Sequence, residues 1–554
     1  MLPTIATATA LVLGLASPAL GQNPYAITGV SVPRGWTPQL REDINDLQRA
    51  GGPKWDLYVQ ALSAMQESNA VDPLSYFQIS GIHGMPYTQW NNTGAGIQGN
   101  SWMGYCPHGE DLFLPWHRPY VVLFEQSLVE AARRIALRYP AQDQPRYRAA
   151  AEQLRSPYWD WATDSRVPPV TTQQQLTINV TVNGAVQARS VRNPLWSYQM
   201  PQQALNGQFG TFDRRPNTIR CVGNGIRYPD TADMRLASRQ FKSWSYDALT
   251  RARSFADFTS GASIGLENIH NAVHVDAACG NQFGNPNVAA FDPLFMLHHT
   301  NVDRLWAYWQ AMNPSQDMFQ NSYRGGARFS TPGGTTITSR SPLQPFYGND
   351  RVVHTSESVR SIRSFNYAYR GLEYWNTNAE QMRQNAVRLI NQMYGPVRSP
   401  PPMSGPPGPP GGPPGSVPVI EPVPKRRYFA RISADREDLP RPCQIEIFYN
   451  NKRASSLAVL AIPETGKVAA GLPLDEALEA DGVTELPVNE ARARILKSLR
   501  IQVTKTDGTV APTPEKLQLV LEEVMVTPPR SDADLPKFSS PILTPITPGE
   551  KPKA

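Results

Sequence analysis

Beyond the first 22 residues, no stretch of this 554-residue chain approaches the roughly 18 consecutive apolar positions of a membrane-spanning helix, which argues for a soluble mature chain with no membrane partner. Basic runs are equally scarce. Lysine and arginine are dispersed, with no run longer than Lys425, Arg426 and Arg427, so a formal net charge of +6 argues against a nucleic-acid partner. No internal repeat of solenoid length recurs. Cysteine is reduced to four positions and histidine to eight, so how these few residues are spaced carries most of the information.

What is abundant is proline: 53 residues, about twice the usual share of roughly 5%. Much of it falls in SPPPMSGPPGPPGGPPGSVPVIEPVP, a stretch too stiff and too poor in large apolar side chains to pack, so residues 396–424 are expected to be a linker and a protease target. The opening MLPTIATATALVLGLASPALGQ lacks a positive residue near its start but ends on small residues, and residues 1–21 are expected to be a signal peptide of a secreted, extracellular protein. Secretion would make the sequons at Asn91 and Asn179 usable for glycosylation.

Between these segments, residues 22–395 are dense in aromatics and helical spacing. Trp55, Tyr58, Leu62 and Met65 step by three and four, as do Val121, Phe124, Leu128 and Ile135, and Val302, Leu305, Trp306 and Trp309; each set predicts an amphipathic helix. LTINVTVNGAVQARSV predicts a hairpin turning at Asn183-Gly184. After the linker, QIEIFYN, SLAVLAI, LKSLRIQVT and LQLVLEEVMV predict a small β domain over 425–530, followed by a disordered tail over 531–554.

Seven of the eight histidines fall into two groups, and in each group two members lie 25 positions apart: His83 and His108, and His274 and His299. A single buried histidine is ordinarily a core residue, but nearly the whole supply in two clusters is not ordinary. On a helix, His270 and His274 project from one face a turn apart, as two ligands of one metal would. A zinc hydrolase would carry a glutamate directly after the first of them, where this chain has Asn271. His298 and His299 diverge by about 100° on a helix, so only one can serve a given metal. His299 is the better candidate, with Asp303 placed to steer it and His298 structural. His83 and His108 sit beside glycines in loops, and His117 opens a helix beginning near Pro119. Two sets of three imidazoles, with no thiolate or carboxylate ligand, suit a pair of copper, zinc or iron ions.

CPHGEDLFLPWHRPY together with ENIHNAVH and DPLFMLHHTNVDRLW resembles the two copper signatures of the tyrosinase and catechol oxidase family, fungal polyphenol oxidases in particular. ITGV, DPLSYFQISGIHG and FNYAYRGLEYW, whose Tyr367 and Tyr369 resemble the motif closing the family's catalytic domain, extend the resemblance over residues 25–375. The Pro-rich stretch and β domain are similar to the C-terminal shielding domain of fungal tyrosinases. The resemblance implies a mainly α protein: a four-helix bundle holding a di-copper centre among long loops. It places His83, His108 and His117 on one copper and His270, His274 and His299 on the other.

The resemblance also implies a thioether between Cys106 and His108. Of the remaining cysteines, Cys221 and Cys279, both in the catalytic part, are the preferred disulfide. Cys443 stands alone where related C-terminal domains sometimes carry a Cys-x-x-Cys pair. With O2 as co-substrate, such a centre ortho-hydroxylates monophenols and oxidises o-diphenols to quinones, and the family pattern implies that Glu267 and Asn271 hold a water acting as base. Val275 occupies a position tied to substrate preference. A protease acting at the linker is the expected activating partner. A catechol oxidase restricted to diphenols, and a hemocyanin-like oxygen carrier, are the alternative readings.

Overall fold

A computed structural model describes residues 23–546 except 211, 223, 224, 226, 262, 263 and 397–421. The signal peptide expected over 1–21, most of the linker expected over 396–424 and the last residues of the tail lie outside the described residues.

Five helices organise the N-terminal part: α1 (Gly52–Glu67), α2 (Phe113–Ala136), α3 (Leu266–Ala278), α4 (Leu294–Met312) and α5 (Ala379–Tyr394). The spaced apolar residues expected to face a core do so in α1, α2 and α4. The helices are nevertheless not simple amphipathic elements. Of the 19 residues of α4, 17 are buried, because α2, α3 and α5 all pack on it. α2 begins at Phe113, six residues before the start expected at Pro119. Pro115 fits its first turn, where backbone N–H groups have no helical acceptor, and Pro119 gives up a single internal bond. α3 is entered through Gly265, whose φ of 62° is one an L side chain rarely adopts. The hairpin is present, pairing Gln175–Val182 with Ala185–Arg192 through Asn183 and Gly184, both at positive φ.

One buried carboxylate ties the helices together. Asp303 on α4 accepts from Arg118 Nε of α2 at 2.6 Å, from Arg41 Nη1 at 3.0 Å, and from the Tyr367 and Tyr369 hydroxyls at 2.6 and 2.7 Å. Arg41 also binds Glu125 of α2 at 2.8 Å and lies over the Tyr367 ring, while Arg118 lies over the ring of Trp306. The two charges opposite Asp303 hold its carboxyl below the ordinary range despite burial, the larger opposing effect.

The C-terminal part is two antiparallel sheets. One orders Lys467–Pro473, Lys425–Asp435, Gln518–Thr527 and Lys537–Phe538; the other orders Lys452–Val459, Cys443–Tyr449, Leu499–Lys505 and Val510–Ala511. Each of the four expected apolar runs contains a strand, although Leu496, Lys497 and Ser498 of the third close the helix Val488–Ser498 and the second leaves its strand after Val459; the helix Asp475–Glu479 also accompanies the sheets. The tail expected to be disordered from 531 is ordered to Ile546. Lys537–Phe538 and Ile542–Ile546 both pair with Gln518–Thr527, covering a strand edge that would otherwise present unpaired backbone groups.

Replacing Asp303 by alanine leaves two buried guanidinium groups without their charge partner. Asp303→Ala is expected to lower unfolding free energy by about 3–5 kcal/mol in chemical denaturation. A loss under about 1 kcal/mol, the size of an exposed pair's contribution, would show that Asp303 does not hold the helices together.

Candidate metal centre

The six imidazoles come from five places. His83 follows the helix Tyr76–Gly81, His108 lies in the loop before α2, His117 is on α2, His270 and His274 are on α3, and His299 is on α4. All six are buried. In five of them Nδ1 donates to an oxygen: His83 to Pro286 O at 3.0 Å, His117 to Phe113 O at 2.7 Å and His274 to Phe283 O at 2.6 Å, all backbone carbonyls; His108 to Glu267 Oε1 at 3.2 Å; and His270 to Asn271 Oδ1 at 2.9 Å. A proton fixed on Nδ1 leaves a bare lone pair on Nε2.

Those lone pairs face one another. Nε2 of His83 and His108 are 3.4 Å apart, Nε2 of His270 and His299 are 3.2 Å apart, and Nε2 of His274 and His299 are 3.3 Å apart; His117 Nε2 has no hydrogen-bond partner among the described residues. Two acceptors at such a distance in a dry interior repel unless a cation lies between them. A proton does not fill that role. Burial, helped by the neighbouring imidazoles, pushes His83, His117, His270 and His299 well below the ordinary range, and burial takes His274 to about 3. Two nitrogens each ~2.0 Å from a shared metal at a near-tetrahedral angle are roughly 3.3 Å apart, so the spacing fits one ion per set. The rings of His117 and His299 stack with centroids 4.5 Å apart, which sets the two groups side by side.

His298 lies close enough to the second set to count as a fourth ligand by distance. Its hydrogen bonding says otherwise: Trp161 Nε1 donates to His298 Nδ1 at 3.0 Å, so the proton of a neutral ring sits on Nε2 and no lone pair faces the cluster. The expectation that Asp303 steers His299 is corrected. Its carboxylate is taken up by two arginines and two tyrosines, and His299 Nδ1 has no partner among the described residues; stacking on Phe295, centroids 4.0 Å apart, positions the ring instead. The composition gave no sign of Trp161 or Phe295, whereas Arg118 could have been suspected from its place directly after His117.

Glu267 Oε1 also accepts from Gly109 N at 2.7 Å, pinning the loop that carries His108, and Glu267 Oε2 has no partner among the described residues. Val275 is half-buried beside His274. Cys106 is a buried thiol lining, with His108, a small void closed by Ile462 and Pro463. Cys221 and Cys279 are joined in a disulfide at the end of α3. From the C-terminal part, Leu460 lies over His83, His108, His270 and His274 next to Phe283, leaving about 10 Å³ of space. That holds about one water and no aromatic ring.

Among the described residues no helix is long and apolar enough to cross a membrane. Residues 73–312 match the family model for the common central domain of tyrosinase. The chain is 34% identical to a tyrosinase of Podospora anserina over 405 residues, covering 67% of this chain and 69% of that one. It is 32% identical to a tyrosinase of Neurospora crassa, covering 67% and 58%, and 32% identical to polyphenol oxidase 2 of Agaricus bisporus, covering 61% and 63%. It thus spans less than two thirds of the length of the latter two. Its fold is similar to that of recombinant mushroom tyrosinase, with a TM-score of 0.77 at 24% identity over 94% of this chain and 99% of the other. A single-substitution mutant of an Aspergillus oryzae pro-tyrosinase gives a TM-score of 0.70 at 22% identity over 94% and 98%.

The sequons differ in what the fold leaves them. Asn179 Nδ2 gives one bond, to Asp56 Oδ2. Asn91 Nδ2 gives both of its protons to backbone carbonyls, of Tyr25 at 3.0 Å and Pro345 at 3.1 Å, so a sugar there would break one of them. Peptide mapping of protein from a glycosylating host is expected to find Asn91 unmodified; a glycan on it in folded protein would contradict this hydrogen bonding.

Proposed function

This chain belongs to the tyrosinase family of copper-dependent phenol oxidases, and from that premise we propose that it is a secreted enzyme that uses O2 to ortho-hydroxylate monophenols and to oxidise o-diphenols to o-quinones, latent until its C-terminal domain is removed. The observation that carries the reading is the convergence of imidazole Nε2 lone pairs in two adjacent buried sets, with five of the six rings held in one tautomer through Nδ1.

In this reading His83, His108 and His117 hold one copper, His270, His274 and His299 hold the other, and α1 to α4 are the four-helix bundle around them. When bound, the copper pair supplies two one-electron carriers through which electrons pass between phenol and O2. The protein's own residues do the rest. Burial holds His83, His117, His270, His274 and His299 below the ordinary imidazole range, so these ligands add no charge to that of the ions. Glu267 Oε2, the oxygen left without a partner, receives the proton of a monophenol hydroxyl through a water. Asn271 supports that water from the next turn of α3, and Val275 leaves room for the ring. A bond from Cys106 to His108 would stiffen the only ligand that depends on a loop and a carboxylate for its position. Buried apolar walls, Phe283 and Phe295 among them, keep bulk water away.

Latency follows from Leu460. With space for about one water beside the imidazoles, a phenol ring reaches the centre only once the Leu460 side chain is out of the way, as it is when the C-terminal domain has left. The expected order is secretion, copper uptake, cutting between the two parts and then turnover.

Two measurements test this. Purified protein is expected to contain two copper ions per chain; His298→Gln keeps both, while His299→Ala loses copper and lowers turnover by at least about 100-fold. Equal copper and turnover in wild type and His299→Ala would sink the ligand assignment. Second, the catalytic part freed of residues beyond Pro396 is expected to oxidise both a monophenol and an o-diphenol much faster than the intact chain, and Leu460→Gly is expected to raise the activity of the intact chain. Oxidation of the diphenol alone would favour a catechol oxidase, and of neither phenol an oxygen carrier.

A further inference from the structure

The two parts of the chain are held together by far more than the segment that joins them. Arg427 of the first C-terminal strand makes a two-pronged ion pair with the buried Asp247 of the catalytic part, at 2.6 and 2.9 Å. In the opposite sense, Arg251 of the catalytic part pairs with Glu522 at 2.7 Å, with its guanidinium 3.8 Å above the Phe429 ring. Arg239 donates to Ser456 O at 2.9 Å. A further grip comes from the chain end: Asn391 on α5 donates through Nδ2 to the backbone carbonyls of Asp532 and Asp534, each at 2.7 Å.

None of these contacts involves residues 397–421. A connecting segment contributes an effective concentration, on the order of millimolar for short flexible links, and a cut removes only that contribution. Largely buried ion pairs act on the other quantity, the rate at which the partners separate. They are also reciprocal, an arginine from each part against a carboxylate from the other, so the two surfaces remain complementary after a cut.

We infer that the C-terminal domain is a dissociable protein inhibitor: after a cut between Pro396 and Pro422 it stays bound through this face and keeps the centre masked, and once separated it rebinds in trans and suppresses the enzyme again. The inference rests on the masked-enzyme reading given above. It adds a binding function to the domain and divides activation into two steps, cutting and departure, of which the second depends on concentration.

The test uses the full copper-loaded chain, cut by limited proteolysis in 397–421. At micromolar concentration the cut protein is expected to elute at the size of the intact chain with the intact chain's low turnover. Activity is expected to appear on dilution and to fall again when the recovered C-terminal fragment is added back. Arg251→Ala and Arg427→Ala, both remote from the imidazoles, are expected to raise the concentration at which half of the activity is unmasked by roughly thirty-fold or more. If either variant fails to fold, the wild-type dilution series decides alone. Fragments that separate at micromolar concentration, or a cut complex that stays together yet turns over at the full rate, would overturn the inference. An intact chain already as active as the diluted fragments would instead sink the masked-enzyme reading, and the inference with it, before any cut is made.

Discussion

Six imidazoles buried with their Nε2 lone pairs facing inward form an arrangement that a folded chain does not tolerate without strong constraint. Left to relax, each ring would turn its lone pair toward a donor. Five are prevented from doing so because Nδ1 is tied to an oxygen, three of them backbone carbonyls, and the sixth, His299, is clamped by stacking between His117 and Phe295. One carbonyl, of Phe113, is in the first turn of α2 itself; the other two come from the turn at Phe283 and the loop at Pro286. Long loops in an otherwise helical domain are therefore part of the site, since they deliver acceptors to rings that the helices alone could not orient.

The second constraint is register. His117 and Arg118 are adjacent on α2, and His299 and Asp303 are one turn apart on α4, so the Arg118–Asp303 pair locks the two helices at the level where their histidines stack. Arg41 and the hydroxyls of Tyr367 and Tyr369 complete the coordination of Asp303 from the beginning and the end of the catalytic part. A fully buried carboxylate with two guanidinium partners adds little stability compared with an apolar core of equal volume; what it adds is geometric specificity, because sliding either helix would strand a charge.

How far the sequence alone reached follows the same division. The histidine sets, the hairpin and the four apolar strands could be read because spacing carries them. Asp303 was noticed for the wrong reason: proximity along a helix suggested a partner for His299, whereas Arg41, over 250 positions away in sequence, claims the carboxylate. The tail was misjudged because its proline and serine content describes a chain without a core of its own, and Ile542–Ile546 needs none once an open strand edge is offered. The sequon at Asn91 was legible as a motif, but which protons of an amide are already engaged is a property of tertiary contacts. Leu460 was invisible for a related reason, since nothing local distinguishes it from the other apolar residues of SLAVLAI.

The placement of the interdomain contacts explains how a shield can sit on a metal centre without being part of it. α3 carries two of the imidazoles and also meets the C-terminal domain directly, through Asn268 Nδ2 to Ala469 O and through Asp276, whose partner Arg239 reaches Ser456. When the shield departs, the Arg239–Asp276 pair remains, because both residues belong to the catalytic part, so the helix keeps its own charge balance. Asp247 and Arg251 lose partners instead, and both lie away from the imidazoles on a face that water then solvates. Uncovering the centre therefore costs α3 the Asn268 bond and the imidazoles the cover of Leu460, while the imidazole anchors, all made by residues before 312, are left as they were.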